Sequence, residues 1–174
     1  MATNPTEGHA SAIHKFQIDS GMTSEEVFDF AFKEYLIPIL QNLSDGLELG
    51  DFLEALATAA TKHGAQVGQA WAASIPRNDM ATWTAWMDDM DNPFHDRLTF
   101  EVIERTDHVC EIKITECLWA KTFREAGAPE MGYAVCCAGD WGMCQAFNPE
   151  IKLTRTKTLM KGDECCNYRW EWKE

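Results

Sequence analysis

The segment 98–117, LTFEVIERTDHVCEIKITEC, marks the point where the apolar pattern of the chain changes period. Its apolar residues recur at every second position, first at Leu98, Phe100 and Val102, then at Cys110, Ile112 and Ile114. The polar tripeptide Thr106-Asp107-His108 separates the two runs. Period-two alternation on both sides of a short polar break predicts a β-hairpin with one apolar face.

The sequence before this hairpin has helical spacing instead. Thr23-Ser24-Glu25-Glu26 forms a capping box, and apolar residues follow at helical intervals as far as Leu43. Pro38 interrupts them and predicts a kink or an early end. A second helix is predicted from near Asp51 to Trp71. Its apolar stripe consists of Phe52, Leu56, Ala60, His63, Val67 and Trp71. Its small residues, Ala57, Ala59, Gly64 and Gly68, predict a close approach of another helix.

A third, shorter helix is expected after Pro76. Its cap is Asn78 or Asp79, and its apolar residues are Trp83, Trp86 and Met90, which we expect to be buried.

The second half of the chain repeats the strand pattern after two helices. A helix from Leu118 should end at Gly127, and Pro129 should begin another that runs to Phe147. Segments 151–160 and 165–173 predict a second hairpin around Lys161-Gly162-Asp163. The order predicts an α+β fold in which an antiparallel sheet packs on helices. We expect residues 1–22 to be a flexible lead-in and residues 23–174 to form a single domain.

Charge and composition exclude several classes of protein. The 174 residues carry a formal net charge of −13, which disfavours binding to nucleic acid and to acidic membrane surfaces. No apolar run approaches the length of a membrane span, and the first sixteen residues lack the pattern of a secretory signal. The seven cysteines are odd in number and fit reduced thiols in a cytoplasm.

Strand phase predicts that two charged side chains point inward. Glu116 shares the phase of Ile112 and Ile114, and Arg155 shares that of Leu153. Burying a lone charge costs several kcal/mol, so inward charges are paired or bind a ligand. The two could pair with each other, or flank a pocket in which Arg155 holds a substrate carboxylate. A structural ion pair, or a sheet face open to water, is the simpler alternative.

The predicted helix 129–147 carries chemistry on one face. Tyr133, Cys137, Asp140 and Cys144 follow at spacings of four, three and four. A thiol and a carboxylate one turn apart can act as nucleophile and base, or as two metal ligands. The alternative is that these thiols are simply buried. Gly139 and Gly142 lie in the same helix, where each costs roughly 1 kcal/mol relative to alanine, so close packing or room for a ligand should compensate.

A metal or cofactor site is not predicted. The chain has no CxxC pair, no Gly-rich phosphate loop and no dinucleotide fingerprint. We therefore expect neither a cofactor nor a metal.

A series of motifs in residues 110–173 resembles the L-2-amino-thiazoline-4-carboxylic acid hydrolase family. The motifs are Ile114-Thr-Glu-Cys117, Phe123-Arg-Glu-Ala-Gly-Ala-Pro-Glu130, Cys137-Ala-Gly-Asp140, Phe147-Asn-Pro149, Leu153-Thr-Arg-Thr-Lys-Thr-Leu159 and Gly162-Asp-Glu-Cys-Cys-Asn-Tyr-Arg169. The last of them is also similar to vinyl-reductase-like ligand-binding domains. Asn167 stands where the family's pattern has an aspartate, which puts any role of that carboxylate in doubt.

The resemblance implies hydrolytic opening of a cyclic isothiourea to a carbamoyl-cysteine. The candidate catalytic residues that it implies are Glu116, Cys137, Asp140 and Cys166. The candidate substrate-binding residues are Cys117, Arg155, Thr156 and Thr158. The nucleophile is either a cysteine or a water activated by Glu116 or Asp140.

Two other functions remain open on the sequence. The first is a non-catalytic module that binds a small ligand or a metal. The second is a structural or regulatory subunit whose aromatic N-terminal helices form the interface of a homo-oligomer. If the chain is a hydrolase or a binding module, its partner is a small molecule.

Overall fold

The computed structural model describes residues 21–92 and 94–173. Residues 1–20, most of the predicted lead-in, lie outside the described residues. The helices are α1 (Ser24–Phe28), α2 (Ile37–Ser44), α3 (Leu49–Ser74), α4 (Met80–Thr84), α5 (Leu118–Glu125), α6 (Pro129–Gly132) and α7 (Gly139–Phe147). The strands are β1 (Leu98–Arg105), β2 (Val109–Cys117), β3 (Ile151–Thr154) and β4 (Cys166–Trp172). Two π-helical stretches, Asp29–Leu36 and Tyr133–Cys137, and two 3-10 turns, Ala85–Met87 and Leu159–Lys161, complete the elements.

The four strands form one sheet in the order β1-β2-β4-β3, and every neighbouring pair is antiparallel. The first hairpin pairs Val102 with Ile112, and the inward residues of β2 are buried as the alternation predicts. Helices pack on this sheet, so the predicted α+β class is confirmed. On β1 the predicted alternation of buried and exposed side chains is incomplete: Val102, expected to face inward, is 43% exposed.

The second hairpin is shorter than predicted. β3 ends at Thr154, and residues 155–165 form a loop that contains one 3-10 turn. Side chains replace the ladder there: Asn167 Oδ1 accepts hydrogen bonds from the amides of Thr156 (3.0 Å) and Lys157 (2.6 Å), and Asp163 accepts one from Thr158 (2.7 Å). These amides already have hydrogen-bond acceptors, so they do not need partners from a longer pairing of β3 with β4.

Two apolar clusters fill the interior. The first lies between the sheet and α4 and α7, and the second joins α2, α5, α6 and the second 3-10 turn. Cys117 and Leu159 pack against both clusters. The polar residues discussed below therefore lie where the two clusters meet.

The N-terminal helix begins at its capping box and passes through Pro38. Thr23 Oγ1 accepts from the Glu26 amide at 3.2 Å, and Glu26 accepts from the Thr23 amide at 2.7 Å. The prediction of an early end is wrong, since the helix continues to Ser44. The Ile37 amide bonds to the Phe32 carbonyl, five residues back. The wider π-helical turn makes room for the proline ring, which would clash with the carbonyl of an α-helical turn.

Helix α3 crosses α7 with the two backbones in contact. A Cβ on Gly64 would lie 2.2 Å from the Gly139 carbonyl oxygen, and one on Gly68 would lie 2.1 Å from that of Met143. The close approach predicted from small residues is confirmed, and it offsets the cost of the α7 glycines. The predicted apolar stripe is wrong in part, because contact through glycine turns His63 outward and leaves it exposed.

The short helix α4 begins at Asp79, whose Oδ1 accepts from the Thr82 amide at 2.9 Å. Trp83 is buried, as predicted. Met90 is 75% exposed, because the chain has left the helix by then, so that burial prediction is wrong.

The glycine crossing gives a stability prediction. Gly68→Ala should lower the free energy of unfolding by about 3 kcal/mol, because its methyl group meets a backbone carbonyl that cannot rotate away. Gly50→Ala is the matched control in the same helix, since nothing lies within 4 Å of its Cβ. That control should be neutral or stabilising by up to about 1 kcal/mol. Urea denaturation of both variants measures the difference, and equal stabilities would contradict the close crossing.

Candidate active site

The centre of the candidate site is Arg155, the first residue after β3. Ile151 and Leu153 face inward along this strand, and Arg155 continues their phase. Its side chain is 1% exposed, so the predicted inward orientation is confirmed. A guanidinium that deep must have each of its donors satisfied.

Arg155 is held by polar partners from two other elements. Its Nη1 donates to Asp140 Oδ2 at 2.6 Å and also to the Tyr168 hydroxyl, while Nη2 donates to the Cys137 carbonyl at 3.1 Å. The Tyr168 hydroxyl donates to the same Asp140 oxygen at 2.8 Å. Asp140, Arg155 and Tyr168 together form what we call the Asp140 cluster. The predicted pairing of Arg155 with Glu116 is wrong, because Asp140 takes that place.

Aromatic rings enclose the guanidinium. The Arg155 Cζ atom lies 4.4 Å from the centroid of Trp141, 4.8 Å from that of Tyr168 and 5.7 Å from that of Tyr133. Cation–π contacts of this kind stabilise a charge that has lost its water. Sequence reasoning missed Trp141, although its position next to Asp140 in α7 was a usable signal.

The charges of the cluster shift one another's titration. Burial alone would lower the pKa of Arg155, but Tyr168, Asp140 and Cys137 raise it above its ordinary value. Burial raises the pKa of the Asp140 carboxyl, and Arg155 and Tyr168 oppose that rise. Burial, and then Asp140, raise the pKa of Tyr168 well above its ordinary value. The Tyr168 phenol is therefore neutral, and its hydroxyl donates a hydrogen bond to the Asp140 carboxylate. The Asp140 side chain is 26% exposed, so water reaches this one member of the pair.

The thiols near the cluster are held in the protonated form. Burial, and then the charge of Asp140, raise the pKa of Cys137. Burial raises the pKa of Cys117 to about 11 and that of Cys136 to about 12. A neutral thiol is a poor nucleophile, so attack through Cys137 would need a base to remove its proton.

The remaining candidates in the 155–165 loop hold the loop together. Thr156 Oγ1 accepts from Asn167 Nδ2 at 2.8 Å on the exposed side. Thr158 is buried, and its hydroxyl lies 3.6 Å from the Cys166 sulfur, which also accepts from the Leu159 amide at 3.3 Å. Their roles in binding or catalysis stay predictions.

Glu116 lies on the outer face of the sheet, so its predicted inward orientation is wrong. Thr99 pairs with Glu116, but the next residue of β1, Phe100, pairs with Ile114. The extra residue in β2 is a β-bulge, which inverts the alternation beyond it. Glu116 is exposed and accepts a hydrogen bond of 2.5 Å from the Thr99 hydroxyl.

An open groove of about 730 Å³ runs beside Glu116. The Cys117 thiol lines this groove and packs against both apolar clusters, whereas Asp140, Arg155 and Tyr168 are not among the residues that line the groove. The groove also exposes cationic side chains, among them Lys121, which pairs with Glu25, and Arg124, which donates to the Leu159 carbonyl at 3.2 Å.

Within residues 21–92 and 94–173, no group of three or more His, Cys, Asp or Glu side chains is arranged to hold a metal ion. Over the same residues, no helix has the length and apolar character needed to cross a membrane.

The buried pair gives a second prediction. Arg155→Met should lower the free energy of unfolding by about 3 kcal/mol, because it leaves Asp140 without its cation. Arg105→Met is the control: that arginine makes a bidentate pair, at 2.8 and 2.7 Å, with Asp88, which is 70% exposed, and surface pairs contribute about 0–1 kcal/mol. Chemical denaturation of both variants tests this, and a smaller loss for Arg155→Met than for the control would contradict it.

The thiols give a pH prediction. The pKa of Cys136 is raised to about 12 in the folded chain, so its contribution to stability is complete below the unfolded pKa of about 8.5 and is lost as pH rises toward 12. Between pH 9.5 and 11, Cys136→Ala should therefore lose stability with pH less steeply than the wild type, by about 1.4 kcal/mol per pH unit. Val135→Ala, the neighbouring untitratable control, should keep the wild-type slope. Equal slopes in all three chains would contradict the buried neutral thiol.

Comparison with solved structures shows the fold alone. The phenol-responsive sensory domain of the transcription activator PoxR, solved with phenol, superposes with a TM-score of 0.51 and 9% identity, covering 78% of this chain and 71% of that chain. A trafficking protein particle complex subunit 3 from Naegleria fowleri, covalently bound to palmitic acid, gives a TM-score of 0.46 and 11% identity, over 86% of this chain and 95% of that one. No curated protein matches the sequence.

A family model matches the sequence over residues 30–170, a range that contains β1, β2, β3 and the whole Asp140 cluster. The chain therefore belongs to the L-2-amino-thiazoline-4-carboxylic acid hydrolase family.

Proposed function

We propose that this chain is a hydrolase that opens a small sulfur-containing cyclic amidine acid, such as L-2-amino-thiazoline-4-carboxylate, to a carbamoyl-cysteine. Membership of the family supports this proposal. The observation that carries it is the environment of Asp140: its side chain is 26% exposed, its Oδ2 accepts hydrogen bonds from Arg155 and Tyr168, and burial raises its pKa. A carboxylate tuned in this way is suited to general-base catalysis.

In the proposed reaction Asp140 activates a water molecule. The water gives a proton to the carboxylate as its oxygen forms a bond to C2 of the ring, and the C2–S bond then breaks. Asp140 passes the proton to the departing sulfur, and the second proton of the water ends on the ring nitrogen. One water is consumed, and no oxidant or reductant is needed.

Water is a better candidate nucleophile than either cysteine. The raised pKa of Cys137 keeps its thiol protonated. The Cys166 sulfur is buried and already engaged with the Leu159 amide and the Thr158 hydroxyl. A thiol route would have to break these contacts, whereas the exposed edge of Asp140 already meets solvent.

Arg155 acts in this proposal as a positioning residue. Both of its terminal nitrogens are engaged with protein acceptors and its side chain is 1% exposed, so holding a substrate carboxylate would require displacing Asp140. The cationic side chains of the groove, Lys121 and Arg124, are open to solvent and offer the substrate carboxylate another partner.

A non-catalytic binding module is the second candidate. The groove of about 730 Å³ favours it, because this volume suits a small ligand. The PoxR domain, which shares the fold, was solved with phenol. In this reading Asp140 and Arg155 are a structural pair that stabilises one wall, and the ligand stays unchanged.

The decisive assay follows loss of L-2-amino-thiazoline-4-carboxylate by mass spectrometry. Asp140→Asn, which keeps the shape of the side chain, should lower kcat/KM by about 10³-fold if the carboxylate is the general base. Glu101→Gln is the matched control and should retain activity within a few-fold, because Glu101 is exposed on β1 and lies outside both the groove and the Asp140 cluster. Circular dichroism should show that both variants fold.

Other outcomes of this assay separate the candidates. If Glu116→Gln lost activity while Asp140→Asn remained active, the general base would be Glu116 in the groove and not Asp140. Activity lost in Cys137→Ser or Cys166→Ser would support a covalent route instead. Binding measured by calorimetry without turnover would favour the binding module.

A further inference from the structure

The outer side of the N-terminal helix carries an uncovered apolar row. Its members, which we call the outer row, are Val27, Phe30, Tyr35, Ile39 and Leu43 in the helix and Leu47 in the bend that follows it. Each side chain is between 43% and 58% exposed. The row contains no charged residue, although the chain as a whole has a formal net charge of −13. Uncovered apolar patches of this length on a charged protein mark interaction surfaces.

The π-helical stretch Asp29–Leu36 is what aligns this row. In an α-helix, residues five apart lie about 140° apart around the axis, but a π-helical turn brings them to one side. Phe30 and Tyr35 are five apart, and their ring centroids are 5.2 Å from each other. The same step places Phe32 and Ile37 together on the inner side, where Ile37 is 1% exposed. The π-helical stretch therefore keeps the residues of each apolar row on one side of the helix, and only the inner row packs in the core.

We propose that the outer row is the interface of a homodimer, in which the N-terminal helices of two chains pack antiparallel about a two-fold axis. The helical part of the row, from Val27 to Leu43, is about 24 Å long at 1.5 Å per residue. Its exposed side chains offer on the order of 700 Å² per chain, close to the ~800 Å² per partner of a standard stable interface. An isologous contact needs a self-complementary surface, and a straight uncharged row paired with its own copy meets that requirement.

A second copy fits the row better than the chain's own first residues. Residues 1–20 contain few large apolar side chains, which are Met1, Ile13, Phe16 and Ile18. These are too few to match the six half-exposed side chains of the row.

The test is the mass of the full chain in solution, measured by light scattering over a range of concentrations. The wild type should have twice the mass of one chain. Tyr35→Glu combined with Ile39→Glu should weaken the dimer at least about 100-fold and give a monomer, because unpaired charges are costly to bury in an apolar contact. Val67→Glu is the matched control on α3, where Val67 is 42% exposed outside the row, and it should stay dimeric. Circular dichroism should show all these chains folded.

A charge-swap experiment makes the test specific. A chain with Tyr35→Lys and Ile39→Lys should also be monomeric, and mixing it with the glutamate variant should restore dimers. A monomeric wild type would overturn the proposal and leave residues 1–20 or a different protein as the occupant. A dimer that survives the double glutamate substitution, or one that Val67→Glu disrupts, would overturn it too.

Discussion

The ion pair between Arg155 and Asp140 is the constraint around which this end of the molecule is built. It connects the loop after β3 to helix α7, and the Tyr168 hydroxyl adds β4 to the same point. A guanidinium with a 1% exposed side chain cannot remain without a partner, so the three elements must keep one arrangement. The rings of Trp141 and Tyr133 then fill the space around the cation and exclude water from it.

Periodicity was enough to predict the fold class and the inward direction of Arg155. The strand alternation continues one residue beyond the β3 ladder, so phase extended correctly to Arg155. It failed for Glu116, because one extra residue in β2 shifts the pairing with β1 and no feature of the alternation announces a bulge. Sequence also could not choose the partner of Arg155. Asp140 is fifteen residues away, and only the packing of α7 on α3 brings it there.

The helices show the same division between local and tertiary information. Capping at Thr23 and at Asp79 depends on neighbouring residues and was readable. The face that α3 turns to α7 depends on where two glycine pairs meet, so the apolar stripe placed His63 on the wrong side. Pro38 was recognised as a disturbance, but the π-helical turn that absorbs it could be identified only from the hydrogen bond between Ile37 and Phe32.

The backbone contact between α3 and α7 has a consequence for motion. Gly139 lies against the Ala60 carbonyl of α3, and Asp140 is the next residue. Since no rotatable side chain separates the two backbones at this point, neither helix can shift by rearranging rotamers, and the joint carries almost no side-chain entropy. The backbone at Asp140 is thus held in place by its contact with α3, a helix of 26 residues.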